Sequence, residues 1–316
     1  LSAVVRGRQV SLRGRAGARN VRYGGEAGLR IGGVQADRLR VVAGRNRAWV
    51  TGALDGLDEA VGGRVTVLAE HLDQQDLTQW LTDDDAHVAR PLSPAAAARL
   101  RADANDAIRA LREHLGADGL ELHLRAQTLR HHDAKVDELY ELTHADIQAR
   151  LDANAVAMVI RAGLAGGTVH NRLACRLDEP DPVLRAQNRL THVLATPSIQ
   201  PQFQRSFPGN TLKGSFSRGE RLQLPLGDAI ANLIDARYPA WPEGQTRIVA
   251  RRGVVEGRAA PHFVAAIFPG LNLAKYRYDR MTGFGTLPGD GSTINDMILN
   301  GPVYDLYLTG TTDANQ

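Results

Sequence analysis

Arginine is the chemically distinctive residue of this 316-residue sequence, which contains 35 arginines and only three lysines. Residues 1–50 hold eleven of the arginines and two acids, so this segment carries a net charge of +9. Residues 51–90 hold nine acids and two arginines, which gives a net charge of −7. The guanidinium group makes paired hydrogen bonds to phosphates and carboxylates and is favoured in interfaces. The two opposed segments therefore indicate contacts with anionic partners or with acidic protein surfaces.

The first arginines of the chain are the candidate residues for nucleic-acid or inter-subunit contact. They could neutralise several phosphates without reading base sequence. Tyr23 and Trp49 are the only aromatic residues in the first fifty, too few for a base-stacking platform. The acidic segment next to them could instead pair with these arginines, within the chain or between copies. We expect these arginines to pair with acids more than with phosphate. A GC-rich genome would also produce abundant arginine. The six candidates are Arg6, Arg8, Arg13, Arg15, Arg19 and Arg22.

A second candidate site is a group of metal-ligating residue types in the middle of the chain. It comprises His123, His131, His132 and Asp133, followed by a Glu-x-x-His step at Glu141 and His144. Di-iron bundle proteins use that step on a helix, but they need two copies of it and two further glutamates. This sequence has one copy. We therefore assign no metal and no cofactor, and a metal-dependent enzyme using the His123–His144 region remains an alternative.

Motifs for other chemistry are absent from the sequence. It has no phosphate-binding loop of the Gly-x4-Gly-Lys-Ser/Thr type and no Gly-x-Ser-x-Gly nucleophile motif. Cys175 lies on an apolar-patterned strand, where a lone cysteine is typical of a core position. We assign no catalytic residue, and the absence of these motifs slightly favours a protein that is not an enzyme.

Composition limits the class and the compartment. The sequence is 43% hydrophobic and 23% charged, which is ordinary for a globular protein of two domains or one large one. A single cysteine indicates a reducing compartment. The longest apolar run, residues 155–160, stops at Arg161, far short of a membrane span. We therefore expect a virion or cytoplasmic location without a membrane-spanning segment.

The elements that must position these residues follow from periodicity and capping. Residues 1–70 alternate apolar and polar types between glycines, which predicts short strands. Ser93 and Pro94 predict a helix start, and Gly116 its end. The remaining predictions are helices at 133–165, 181–194 and 228–238, strands at 168–178, 247–255, 262–268 and 303–308, and an irregular stretch at 195–226.

The predicted fold is α+β, with a helical middle region flanked by β-rich N-terminal and C-terminal segments. We divide the chain into residues 1–90, a β-rich and charge-split region, 91–195, a mainly helical region, and 196–316, a mixed and loop-rich region. Long segments rich in glycine, proline, glutamine and asparagine at 195–226 and 269–300 are suited to wrapping neighbours.

These features together favour a structural, self-assembling protein whose partners are copies of itself or other particle subunits. The composition loosely resembles that of coat and surface-decorating proteins of viruses with GC-rich genomes, although no motif carries the comparison. The hypothesis is a viral capsid or surface-decorating protein acting through protein–protein contacts. The alternatives are a sequence-independent RNA- or DNA-binding protein using the N-terminal arginines, and the metal-dependent enzyme named above.

Overall fold

The computed structural model describes the chain in eleven ranges: residues 2–5, 8–23, 29–57, 60–73, 92–133, 138–197, 199–200, 210–235, 237–257, 275–302 and 305–313.

Strands dominate these ranges. They are β1 Ser2–Val5, β2 Arg8–Tyr23, β3 Leu29–Ala43, β4 Asn46–Asp55, β5 Val61–Asp73, β6 Leu115–Asp133, β7 Glu138–Leu151, β8 Ala155–Leu164, β9 Gly167–Arg176, β10 Val183–Leu194, β11 Asn210–Pro225, β12 Glu243–Gly257, β13 Lys275–Pro288, β14 Ser292–Asn300 and β15 Asp305–Asp313. The described ranges contain two helices, α1 Pro94–His114 and α2 Leu226–Ile234.

The strands form one mixed sheet in which hydrogen-bonded neighbours follow chain order from β1 to β15. Consecutive strands pair in antiparallel orientation from β1 to β5, between β6 and β7, and from β11 to β15. The pair of β5 and β6 is parallel. Parallel neighbours need a crossover connection, and α1 lies in the chain between these two strands.

The predicted α+β class with a helical middle is therefore wrong. The predicted helix at 133–165 is the strand pair β7 and β8, and the predicted helix at 181–194 is β10. Half of the stretch predicted as irregular at 195–226 is β11, Asn210–Pro225. Leucine, alanine and arginine have high intrinsic helix propensity, but pairing with neighbouring strands overrides that preference.

Other elements agree with the predictions. The Ser93 hydroxyl oxygen accepts a hydrogen bond from the Ala96 amide at 3.3 Å and caps α1, and Ala104 and Ile108 on its predicted apolar face are buried. The helix ends at His114, two residues before the predicted Gly116. The short helix near 228–238 and the strands near 168–178, 247–255 and 303–308 are present as α2, β9, β12 and β15. The strand predicted at 262–268 lies outside the described residues.

Bulges bend several of the long strands. Arg38 of β3 has a left-handed φ of 48°, at a register shift against both neighbouring strands. Gly14 lies opposite this bulge, and a Cβ atom there would be 2.7 Å from the Arg38 carbonyl oxygen. His144 of β7 and His192 of β10 also have positive φ angles, of 50° and 53°. Such residues shift the alternation of side chains between the two faces of a strand.

The chain divides into two compact units. The N-terminal unit contains residues 1–162, 171–185 and 225–239, and the C-terminal unit contains the remainder. In the N-terminal unit, Ile108 of α1 and Leu226 of α2 pack with Cys175 and Leu177. Each helix thus contributes one apolar side chain to the buried part of this core.

The core of the C-terminal unit lies on one face of β11 to β14. Buried side chains meet in rows across the strands, because their register aligns them. One row contains Phe216, Ala250, Met281 and Leu299, all at most 4% exposed.

No helix in the described part of the chain is both long enough and apolar enough to cross a membrane.

Candidate assembly interface

The six candidate arginines occupy different environments. Arg13 and Arg15 lie on β2 with exposed side chains, and no acid among the described residues forms an ion pair with either. Arg8 and Arg22 lie on the same strand, but only their backbone is described, and Arg6 lies outside the described residues.

Arg19 is paired within the chain. Its Nη2 atom lies 3.0 Å from both carboxylate oxygens of Asp55 on β4, although β3 separates the two strands. The register places Gly33 of β3 directly between them. A Cβ atom at Gly33 would lie 2.7 Å from Asp55 Oδ1, so the glycine leaves the space that the ion pair occupies.

The outer side of β2 is an open strand edge over most of its length. β1 pairs with β2 only from Arg8 to Ser11. Beyond that, no other described strand pairs with this side of β2, and residues 13–18 are exposed on both faces. We call Arg13–Tyr23 the basic edge. The next strand adds more basic side chains beside it, since Arg40 lies opposite Arg13.

The other end of the sheet is β15, Asp305–Asp313. All nine of its residues pair with β14, and no described strand lies on its other side. Asp305, Tyr307 and residues 309–311 are exposed. Its sequence has acids at both ends and no lysine, arginine or proline between them. We call β15 the acidic edge.

An apolar face lies beside the acidic edge. Phe284, Ile294, Ile298 and Tyr307 project from the side of β13 to β15 opposite the buried core, and Phe284 and Tyr307 are 50% and 62% exposed. The register brings Ile298 opposite Tyr307. The Arg247 guanidinium covers the Phe284 ring at 5.4 Å from its centroid, a cation–π distance. Large side chains of this type, grouped on one exposed face, are typical of a contact surface.

The histidine region forms ion pairs instead of a metal cluster. His123 Nε2 lies 3.3 Å from Asp146 Oδ2 across β6 and β7, and Arg125 Nε lies 3.2 Å from both atoms. Burial raises the pKa of the Asp146 carboxyl, but hydrogen bonds from His123, Gln148 and Arg125 outweigh it, so the pKa lies below its usual value. A guanidinium between the imidazole and the carboxylate opposes binding of a second cation there.

The remaining members of the predicted metal group are dispersed. The His131 ring stacks on Tyr140, and Glu141 pairs with Arg130 at 3.2 Å. Because β7 is a strand and not a helix, the predicted helical Glu-x-x-His spacing does not apply, and His144 has a positive φ of 50°. The described residues contain no group of three metal-ligating side chains, and nothing is described of the His132 and Asp133 side chains.

One buried polar group was missed by sequence reasoning. The Tyr238 hydroxyl donates to Asp228 Oδ1 at 2.5 Å, and Arg101 Nε of α1 lies 3.1 Å from the same oxygen. Asp228 and Tyr238 are at most 7% exposed. The sequence shows an acid, Asp228, in the first turn of α2. No sequence pattern indicates that Tyr238 and Arg101 would contact it. The ion pair between Arg101 and Asp228 joins α1 to α2.

Cys175 is a core residue, as its pattern predicted. Its side chain is 2% exposed, and burial raises the pKa of its thiol. A thiol in this state is protonated and shielded, which does not suit a nucleophile.

Comparison of the chain with protein-family models, with curated proteins and with solved structures finds no match in any of the three.

Proposed function

We propose that this chain is a structural protein that assembles with copies of itself through protein–protein contacts, as a capsid or surface-decorating subunit of a particle such as a virion. The observation that carries the proposal is that a strand edge is exposed at each end of the sheet in the described part of the chain. β2 is open along Arg13–Tyr23, and β15 is open along its full length in the described part of the chain.

An open strand edge carries a row of backbone donors and acceptors that can pair with another chain. Monomeric proteins usually block such edges with lysine, proline, bulges or a covering loop. The acidic edge has no lysine and no proline between Asp305 and Asp313. Addition of a strand from another copy would satisfy these backbone groups.

The exposed apolar face strengthens the proposal for the C-terminal unit. Phe284, Ile294, Ile298 and Tyr307 lie within three strands of the sheet end, so a copy that added a strand to β15 would also approach this face. Each large apolar side chain that becomes buried contributes about 1.5–3 kcal/mol. The virion assignment itself rests on composition, through the excess of arginine and the glycine-rich segments.

Nucleic-acid binding is the second candidate, and the exposure of Arg13 and Arg15 favours it. Phosphate bound to Arg13, Arg15, Arg38 and Arg40 would release counterions, but Arg19 already pairs with Asp55 and Asp37 lies among these arginines. Assembly remains the stronger proposal because it uses both edges and the apolar face. The salt dependence of RNA and DNA binding tests this candidate, and Arg13→Glu with Arg15→Glu should flatten the slope if phosphate is the partner.

Light scattering combined with negative-stain microscopy tests assembly. We expect nuclease-treated protein to show a mass that rises with concentration to at least twice the 34.2 kDa of the monomer, with ordered particles in the micrographs. A constant monomer mass at high concentration and low salt would contradict the proposal.

A further inference from the structure

The two open edges of the sheet carry opposite charge. On the basic edge, Arg13 and Arg15 are exposed and form no ion pair with an acid among the described residues. On β3, the register places Arg40 opposite Arg13 and Asp37 opposite Arg15, and Asp37 is the single acid of that strand. On the acidic edge, Asp305 is exposed and Asp313 ends the strand, with no cation in between. Strand edges of opposite charge attract each other, and edges of like charge do not.

We propose that the basic edge of one copy pairs with the acidic edge of the next copy, so that the sheet continues from molecule to molecule. This inference rests on the proposed function and specifies its contact. The partner is a second copy of this chain, and the recognition elements are the backbone of both edges and the charges along them.

The lengths of the two edges agree with this pairing. The nine residues of β15 extend over about 30 Å at the usual rise of a strand, and the basic edge extends over about 36 Å. The whole of β15 therefore fits along the open part of β2. β1 would lie in line with the added strand, because it already occupies the positions from Arg8 to Ser11.

Pairing between identical edges is less favourable. Two copies of β15 in antiparallel pairing would place Asp305 of one copy near Asp313 of the other, at both ends of the interface. Two copies of the basic edge would bring their arginines together. Like charges directly opposite each other destabilise a strand pair. A contact between different edges avoids both arrangements, and it generates rings or filaments instead of closed dimers.

Two charge-reversed variants test the inference. Arg13→Glu with Arg15→Glu replaces the two exposed arginines of the basic edge that form no ion pair by acids, and Asp305→Lys with Asp313→Lys replaces both acids of β15 by cations. We expect each variant alone to remain monomeric by light scattering at low salt, where screening is weak. An equimolar mixture should recover at least twice the monomer mass, because each edge again meets an edge of opposite charge.

A matched control for the Arg13/Arg15 variant makes the same change of net charge away from the edges. Arg161 and Arg172 lie on β8 and β9, inside the sheet order, and their side chains are exposed. Arg161→Glu with Arg172→Glu should assemble as the wild type does. Circular dichroism should show that all variants retain their strand content.

The outcomes separate this inference from the proposed function. If the wild type assembles but the mixture stays monomeric, the edge contact is wrong and the assembly proposal stands. If only the basic-edged variant dissociates, pairing of β15 with itself replaces the inference. If the wild type itself is monomeric, both proposals fail.

Discussion

Arg19 and Asp55 form an ion pair across a strand that lies between them, because the intervening residue is Gly33. Arg19 belongs to the basic segment of the sequence and Asp55 to the acidic one. The opposed segments thus meet at this point inside the chain, while Arg13 and Arg15 on the same strand face outwards. The basic segment is therefore partly neutralised internally and partly open to a partner.

Gly33→Ala should destabilise the N-terminal unit by about 1–3 kcal/mol. The new methyl group would come 2.7 Å from Asp55 Oδ1 and 2.9 Å from the Leu54 carbonyl oxygen, so the backbone must move as well as the side chain. Denaturant unfolding measures the change. The control is Gly17→Ala on β2, where a Cβ atom meets nothing within 4 Å and the loss of chain entropy on folding is smaller. If both variants changed the free energy of unfolding equally, the absence of a side chain at Gly33 would not be needed to accommodate Asp55.

Tyr276 and Tyr278 offer a matched pair on β13. Both are at most 3% exposed, but the Tyr276 hydroxyl donates to the Leu299 carbonyl oxygen at 3.2 Å, whereas the Tyr278 hydroxyl has no hydrogen-bond partner in the described part of the chain. Tyr276→Phe should lower the free energy of unfolding by about 0.5–1.5 kcal/mol. Tyr278→Phe should leave it unchanged or raise it, because it removes a buried polar atom. A larger loss for Tyr278→Phe than for Tyr276→Phe would contradict this reading of the core.

The same core predicts a loss of stability at alkaline pH. Burial raises the pKa of Tyr278 to about 12, and burial together with Asp228 raises the pKa of Tyr238 to about 12. A tyrosine in the unfolded chain releases its proton near pH 10. The free energy of unfolding should therefore be unaffected by these groups below pH 10 and should fall between pH 10 and 12, by up to ~1.4 kcal/mol per pH unit for each group. Unfolding curves at pH 8 and pH 11 measure the difference, and Tyr278→Phe should reduce it. An unchanged difference in that variant would refute the assignment to Tyr278.

The sequence predicted elements well where local signals decide the structure. The Ser93 cap and the proline after it define the start of α1, and Val169, Leu173 and Cys175 alternate along β9 as a strand should. These signals lie within a few residues of each other and need no distant partner.

The strands β7 and β10 could not be recognised by the same rules. In β10, Leu184, Ala186 and Leu190 are partly buried at even spacing, but the buried Val193 follows after three residues, next to His192 with its positive φ. In β7, burial changes its alternation at His144, which also has a positive φ, so Tyr140, Ile147 and Leu151 resemble one face of a helix. Such a backbone irregularity within a strand is not revealed by a single sequence.

The candidate contact residues were predicted by type and not by environment. Charge placement indicated the N-terminal arginines, but it could not distinguish Arg19, which reaches Asp55 over Gly33, from Arg13 and Arg15. The acidic edge was missed because two acids nine residues apart form no motif. Its significance follows from the position of β15 at the end of the sheet.

Chemical cross-linking tests the contact between copies most directly. Gly17 on the basic edge and Gly310 on the acidic edge are both exposed, and a Cβ atom at either position meets nothing within 4 Å. Cysteine can therefore replace both, while the native Cys175 is buried. The control pairs Gly17→Cys with Gly219→Cys, since Gly219 is equally open but lies on the interior strand β11.

With a short bifunctional thiol reagent, the variant carrying Gly17→Cys and Gly310→Cys should give a ladder of covalent multimers on a denaturing gel. The control and the single variants should give none. Monomers alone in the double variant, with both thiols shown by mass spectrometry to have reacted, would contradict the account.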